Sequence, residues 1–266
     1  MPGVWLQVEP SGAWHVNTEV TDRAAELLDL YLPLQVSPCF VIGQLGQSLD
    51  GHIATVSGNS HFVTGEEDIL RLHRLRALVD AVVVGVNTVE QDNPRLTVRL
   101  VEGDDPVRVV LDPKGRVRAD RALFMGGPRT IVIRAGESEG YSGSEGTTAH
   151  VEEITLSAGV RGFDPRQVVK TLGELGLCRI LVEGGGVTVS HFLEAGVLDR
   201  LHVTVAPMLI GSGRRALTLP PVDTLDEALR PACRTFHLGA DVLFDLDLRG
   251  GSAPSKQAGQ EHRKAR

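Results

Sequence analysis

The chain has 266 residues, 42% of them hydrophobic and 23% charged, with a formal net charge of -7. That length can bury one sizeable core, while the acid excess excludes a whole-protein field drawing nucleic acid or an anionic membrane, leaving room only for a local basic pocket. Cys39, Cys178 and Cys233 are too few and too scattered for a disulfide framework or a metal site, no leader-like start or roughly 20-residue apolar span is present, and a cytoplasmic protein without metal is expected.

Residues 1–36 read as an N-terminal arm with one helix, because Ala24, Leu27, Leu28 and Tyr31 recur at helical spacing over 21–31. The run CFVIGQLG at 39–46 reads as a strand, ended by the Asp-Gly turn of SLDG at 48–51. Thr64, with Glu67 three residues on, has capping-box spacing and opens a helix to about residue 80. The β-branched run AVVVGV at 81–86 suits a parallel strand covered on both faces. VRVVL at 107–111 and TIVI at 130–133 are strand-like, 164–176 is helix-like, and RILVE at 179–183 is a strand running into Gly184, Gly185, Gly186 and another helix. This alternation predicts an α/β sheet with helices on both sides. The strand-like segments 201–208 and 242–248, with no crossover helix between them, predict antiparallel pairing at one edge. The expected division is an arm at 1–36, a main domain at 37–249 and a polar, unpatterned tail at 250–266 read as disordered.

On the helix at 66–80, Ile69, Leu72, Leu75 and Val79 form one stripe with Arg76 among them, while Arg71 and Arg74 point toward solvent. A guanidinium facing the core needs an anion, either a structural carboxylate or a ligand's phosphate, and this helix leaves both open. In RLTVR at 95–99, alternation places Arg99 opposite Leu96 and Val98, so Ser60, Arg76 and Arg99 are candidates for a phosphate cradle. The triple glycine either lets the backbone approach a pyrophosphate at a helix N-terminus or is a packing turn; it matches neither G-x-G-x-x-G nor a P-loop.

The segments GQSLDG at 46–51, SGNS at 57–60, GVNTV at 85–89, DNPRLTVR at 92–99, LVEGGG at 181–186 and APMLIG at 206–211 occur in a telling order and spacing. Together, over 38–248, they resemble the riboflavin-biosynthesis pyrimidine reductases. The resemblance implies a dihydrofolate reductase-like three-layer α/β/α fold with a mixed, mostly parallel central sheet. It implies an NADPH-dependent oxidoreductase, homodimeric, that converts the ribosyl group of a ribosylamino-pyrimidine 5′-phosphate to ribityl. Gly46, Phe62, Thr88, Asp92, Gly185, Gly186, Val187 and Thr188 would line the NADPH site. Gln44, Ser60, Arg76, Leu96, Arg99 and Glu183 would hold the small phosphorylated pyrimidine. Asp50, Asp92 and Glu183 are the carboxylates available for proton transfer, their separate roles left open. Lys114 and Arg116 are candidates for the 2′-phosphate, or are solvated turn charges.

Two departures stand out. The H-x-E and P-C-x-x-C motifs of the fused zinc deaminase are missing, and Gln44 stands where the bacterial fused reductases usually carry lysine. The helix from Glu66 to His73 resembles that of the stand-alone archaeal and fungal enzymes, which act on the diamino-pyrimidinone. Alternative readings are a reductase of a pterin, dihydrofolate or other metabolite, and a nucleotide-binding homologue without turnover.

Overall fold

Apolar strands that alternate strictly send neighbouring side chains to opposite layers, and this rule organises the chain. The computed structural model describes residues 3–60, 63–136, 140–142 and 150–250. The chain opens with a hairpin of β1 (Leu6–Val8) and β2 (Trp14–Val16), followed by helix α1 (Asp22–Gln35) and β3 (Phe40–Ser48). Next come β4 (His52–Thr55), α2 (Glu66–Leu78), β5 (Ala81–Gly85), α3 (Val86–Asp92), β6 (Val107–Leu111) and β7 (Thr130–Ala135). Then follow β8 (Gly140–Ser142), β9 (Val151–Leu156), β10 (Ala158–Gly159), β11 (Gly162–Phe163), α4 (Pro165–Glu174) and β12 (Arg179–Val182). The last elements are α5 (Gly186–Glu194), β13 (Arg200–Ala206), β14 (Gly213–Arg215), β15 (Ala232–Leu238) and β16 (Asp241–Asp247).

Ten strands form one sheet in the order β15-β16-β13-β3-β12-β5-β6-β7-β9-β8. Neighbours from β13 to β9 are parallel, and antiparallel partners close both edges. Val83, Val109, Ile131, Ile180 and Val182 pack on one side against Val168 and Leu172 of α4 and Val189 and Phe192 of α5. Ile42, Val82, Val84, Val110 and Leu181 pack on the other against Leu34 of α1, Leu75 of α2 and Val89 of α3. The result is the expected three-layer arrangement around a mixed, mostly parallel sheet.

The connections place the site. Strand β12 enters between β3 and β5. The chain leaves β3 and β5 toward α2 and α3 on one face, but leaves β12 into α5 on the other. Where adjacent parallel strands send their chains to opposite faces, a crevice opens at their carboxyl ends.

Several local expectations give way to packing. Helix α1 is capped by Thr21, whose Oγ1 accepts from the Ala24 N–H at 3.2 Å, and it continues past residue 31 because Leu30 and Leu34, one turn apart, are both buried. The capping box does not form: α2 starts after Gly65, whose N–H donates to the Asp241 carboxylate at 2.6 Å. Residues 95–99 are not a strand; Leu96 is buried at a φ of 54°, in the left-handed region. Arg71 does not face solvent but is 1% exposed. Strands β9 and β15 were not foreseen, and Phe62 and the tail beyond residue 250 lie outside the described residues.

Candidate active site

A cleft of about 840 Å³ fills the crevice. Its floor is the junction of β12 with α5. Gly184 has a φ of 96°, and a Cβ there would lie 2.5 Å from Thr88 Oγ1; a Cβ on Gly186 would lie 2.1 Å from the Ala216 carbonyl oxygen. Thr88 Oγ1 accepts the Gly185 N–H at 2.9 Å. Packing alone therefore demands these glycines, and the same packing turns the first turn of α5 to the cleft, where free N–H groups and the helix dipole favour an anion. Of the residues assigned to this end by resemblance, Gly46, Thr88, Asp92, Gly185, Gly186, Val187 and Thr188 all line the cleft.

The cleft is basic although the chain is acidic. Arg116, Arg161, Arg214 and Arg215 line it. Arg116 donates to Asn87 Oδ1 at 3.0 Å, and Arg161 pairs with Glu194 at 2.8 Å. Lys114 is exposed and not among the lining residues, so Arg116 is the better placed of the two 2′-phosphate candidates. Ser60 also lines the cleft, with its hydroxyl donating to Asp92 Oδ1 at 3.0 Å.

Beside the floor, Arg76 meets its anion. Its Nε and Nη2 donate to the two Glu183 oxygens at 2.8 and 2.7 Å, with both side chains under a tenth exposed. The structural carboxylate that the helix pattern left open is thus Glu183, the residue before Gly184. Burial pulls the Arg76 pKa down, but the Glu183 charge overrides it and the value is raised. Arg76 Nη1 also donates to the Thr97 carbonyl at 3.3 Å, and Arg99 Nη1 donates to that same oxygen at 3.5 Å and to Thr97 Oγ1 at 2.6 Å. The left-handed turn at Leu96 brings this carbonyl to both guanidiniums; such strain, on the order of 1–3 kcal/mol, collects at functional sites.

Burial, and after it the nearby charges of Arg76 and Arg95, lower the Arg99 pKa. His73 accepts the Arg99 backbone N–H at Nδ1, 3.0 Å away, and burial together with Arg76 and Arg99 depresses its pKa to about 4, so the ring is neutral. The two arginines meet at the Thr97 carbonyl, whereas Ser60 joins Asp92 rather than forming a hydrogen bond to either of them; of the residues assigned to the substrate, Gln44 and Ser60 line the cleft, and Arg76, Leu96, Arg99 and Glu183 lie outside its lining.

The other carboxylates divide by their partners. Asp50 accepts from Ser48 Oγ at 2.5 Å and from the Gly211 and Ile210 N–H groups at 2.7 and 3.2 Å, which hold its pKa well below the carboxylate range. Asp50 does not line the cleft. Its three hydrogen bonds pin the 48–51 turn to the 208–211 loop.

Asp68, which sequence reasoning missed, does line the cleft and is 2% exposed. Its Oδ1 accepts from Arg71 Nε at 2.8 Å and Thr204 Oγ1 at 2.7 Å. Arg71 Nη1 meets His202 Nδ1 at 3.0 Å, and His202 Nε2 lies 3.2 Å from Asp245 Oδ1. The signal was present: Asp68, Arg71 and Leu75 stand at i, i+3 and i+7, one helical stripe.

A mostly parallel sheet with helices on both faces and a cleft at the β3-β12-β5 switch defines a dihydrofolate reductase-like α/β protein. Residues 39–242 match the model of the RibD C-terminal domain, and the chain belongs to that family, as its motifs implied. It is 35% identical over 218 residues to the 2,5-diamino-6-ribosylamino-4(3H)-pyrimidinone 5′-phosphate reductase of Methanothermobacter thermautotrophicus, covering 79% of this chain and 99% of the relative. It is 38% identical over 249 residues to riboflavin biosynthesis protein RibD of Aquifex aeolicus, covering 92% of this chain and 68% of the relative. A solved deaminase/5-amino-6-(5-phosphoribosylamino)uracil reductase from Thermotoga maritima aligns with a TM-score of 0.64 at 27% identity, over 85% of this chain and 62% of that one. This chain thus spans less than two thirds of that solved protein.

Proposed function

We propose that the chain is an NADPH-dependent reductase of a ribosylamino-pyrimidine 5′-phosphate, producing the ribityl compound from either the 2,5-diamino-pyrimidinone or its deaminated uracil counterpart. The observation that carries this reading is the meeting of Arg76 and Arg99 at the Thr97 carbonyl, one residue from the glycine floor through the Arg76 pair with Glu183. Guanidiniums so placed suit a phosphate monoester.

The residues fit the cofactor: the α5 N-terminus offers N–H groups that only glycine can bring close, and Arg116 offers a cation at the rim. NADPH, when bound, supplies hydride to C1′ of the ring-opened sugar. Arg99, steadied by Arg76, holds the phosphate tail and so fixes the sugar by remote binding energy. Asp92 moves protons at the sugar and its nitrogen in this reading, supported by its position in the cleft with Ser60 on one oxygen only. A homodimer in a reducing cytoplasm belongs to the same reading, supported by the exposed Leu209, Leu225 and Leu229 and by the free cysteines.

The purified chain mixed with NADPH and each pyrimidine phosphate is expected to lose absorbance at the nicotinamide band. No loss with either substrate overturns the proposal.

A further inference from the structure

The cleft holds an acceptor that no described residue uses. Glu183 spends both oxygens on Arg76, and Asp50 is saturated outside the cleft. Asp68 differs: Arg71 and Thr204 both donate to Oδ1, and among the described residues nothing donates to Oδ2. Arg71 balances the charge and itself meets His202, which lies against Asp245, so the carboxylate is anchored through Oδ1. A buried carboxylate oxygen with open lone pairs requires donors from whatever occupies the cleft.

Its neighbour is Gln44. Strands β3 and β13 run parallel with Gln44 opposite His202 and Gly46 opposite Thr204. Val41 and Leu45 face α4 and α5, so Gln44 rises on the other face, the one where Thr204 meets Asp68. Gln44 is 7% exposed, lines the cleft, and its amide forms no hydrogen bond among the described residues. A fixed acceptor thus stands one strand away from an adaptable amide.

Resting on the reductase reading, we propose that Asp68 is the specificity-determining residue for the pyrimidine ring. Its Oδ2 accepts from the 2-amino group and the adjacent ring N3–H, while the Gln44 amide donates to the 4-carbonyl. A 2-amino-4-pyrimidinone presents donor, donor, acceptor along that edge, the complement of these two side chains. A uracil ring presents a carbonyl at position 2, and a carboxylate facing it loses one hydrogen bond and gains a repulsion. The site therefore selects the aminated ring over the deaminated one.

The test compares kcat/KM of the full chain for the two ring types, each as its ribosylamino 5′-phosphate. The wild type is expected to favour the 2-amino ring, and Asp68→Asn to cut that preference on the order of tenfold to a hundredfold, chiefly through KM. Because Asp68→Asn strands Arg71, the double variant Asp68→Asn/Arg71→Met, which removes both charges, is measured beside it. Equal wild-type turnover of the two rings, or an unchanged preference in a folded variant, overturns the assignment. Binding of 2,5,6-triamino-4-pyrimidinone against 5,6-diaminouracil to the wild-type chain gives a readout without turnover. Preference for the triamine is expected even if no nicotinamide is oxidised, an outcome that would reject the reductase reading alone; equal binding rejects the role of Asp68.

Discussion

Arg76→Met is the most informative single change, because the structure gives Arg76 two tasks that separate by measurement. Its guanidinium makes a two-bond pair with Glu183 at 2.8 and 2.7 Å, with both side chains under a tenth exposed, so solvent screening is slight. Removing one partner of such a pair leaves a buried charge and costs about 3–5 kcal/mol. For a chain of this size, roughly 2–4 °C of melting temperature accompanies each kcal/mol, so Arg76→Met and Glu183→Leu are each expected to melt roughly 6–20 °C early. The double variant strands nothing and is expected to fall within about 2 kcal/mol of the wild type, far from the sum of the singles. Urea midpoints followed by far-ultraviolet circular dichroism, with thermal melts beside them, complete the cycle. The double variant, though stable, is expected to bind phosphorylated substrate poorly, since half of the cationic pair at Thr97 is gone. Additive losses, or a single variant as stable as the wild type, would refute the reading of Arg76 and Glu183 as a mutually dependent buried pair.

His73 carries a pH dependence. Its folded pKa near 4 lies below the ordinary 6.5, so the neutral ring contributes stability that is complete above about 6.5 and drains away as pH falls toward 4; His73→Gln is expected to flatten that limb in urea midpoints taken at pH 7 and pH 5. Asp50→Asn is expected to loosen the 208–211 loop, seen as faster proteolysis there, with nucleotide affinity retained; loss of turnover without loosening would restore a chemical role to Asp50. Gly186→Ala forces a Cβ against the Ala216 carbonyl and is expected to cost about 1–3 kcal/mol in stability. Its NADPH affinity, read by nucleotide fluorescence, is expected to fall by about tenfold or more.

The central sheet was legible because parallel strands covered on both faces are nearly pure apolar runs, as at 81–85, 107–111 and 179–182. Strand β15 escaped because it is a sheet edge, with four of its first residues exposed and no apolar run to read. The stripe containing Arg76 correctly announced a buried guanidinium, but a helical pattern cannot name a partner more than a hundred residues away. Arg71 was misplaced for a related reason: α2 is covered on more than one side, so a second stripe of Asp68, Arg71 and Leu75 is also buried, and a polar residue on it looks like surface until its partner is seen. Residues 95–99 misled because alternating apolar residues imitate a strand, whereas the left-handed backbone at Leu96 leaves no compositional trace.

The threonine contacts at the cleft floor set what each side of the seam can accommodate. Thr188 Oγ1 sits 2.6 Å from where a Cβ on Gly85 would be, and Thr88 Oγ1 sits 2.5 Å from that of Gly184. Each helix start therefore inserts a hydroxyl-bearing side chain into a notch at the other. At Gly85 growth is sterically tolerable only if Thr188 shrinks across from it, whereas at Gly184 the φ of 96° keeps the position glycine whatever stands at Thr88. A side chain added at Gly85 alone would block its notch, and one compensated at Thr188 would keep the seam, so the two halves of this floor differ in what they can absorb.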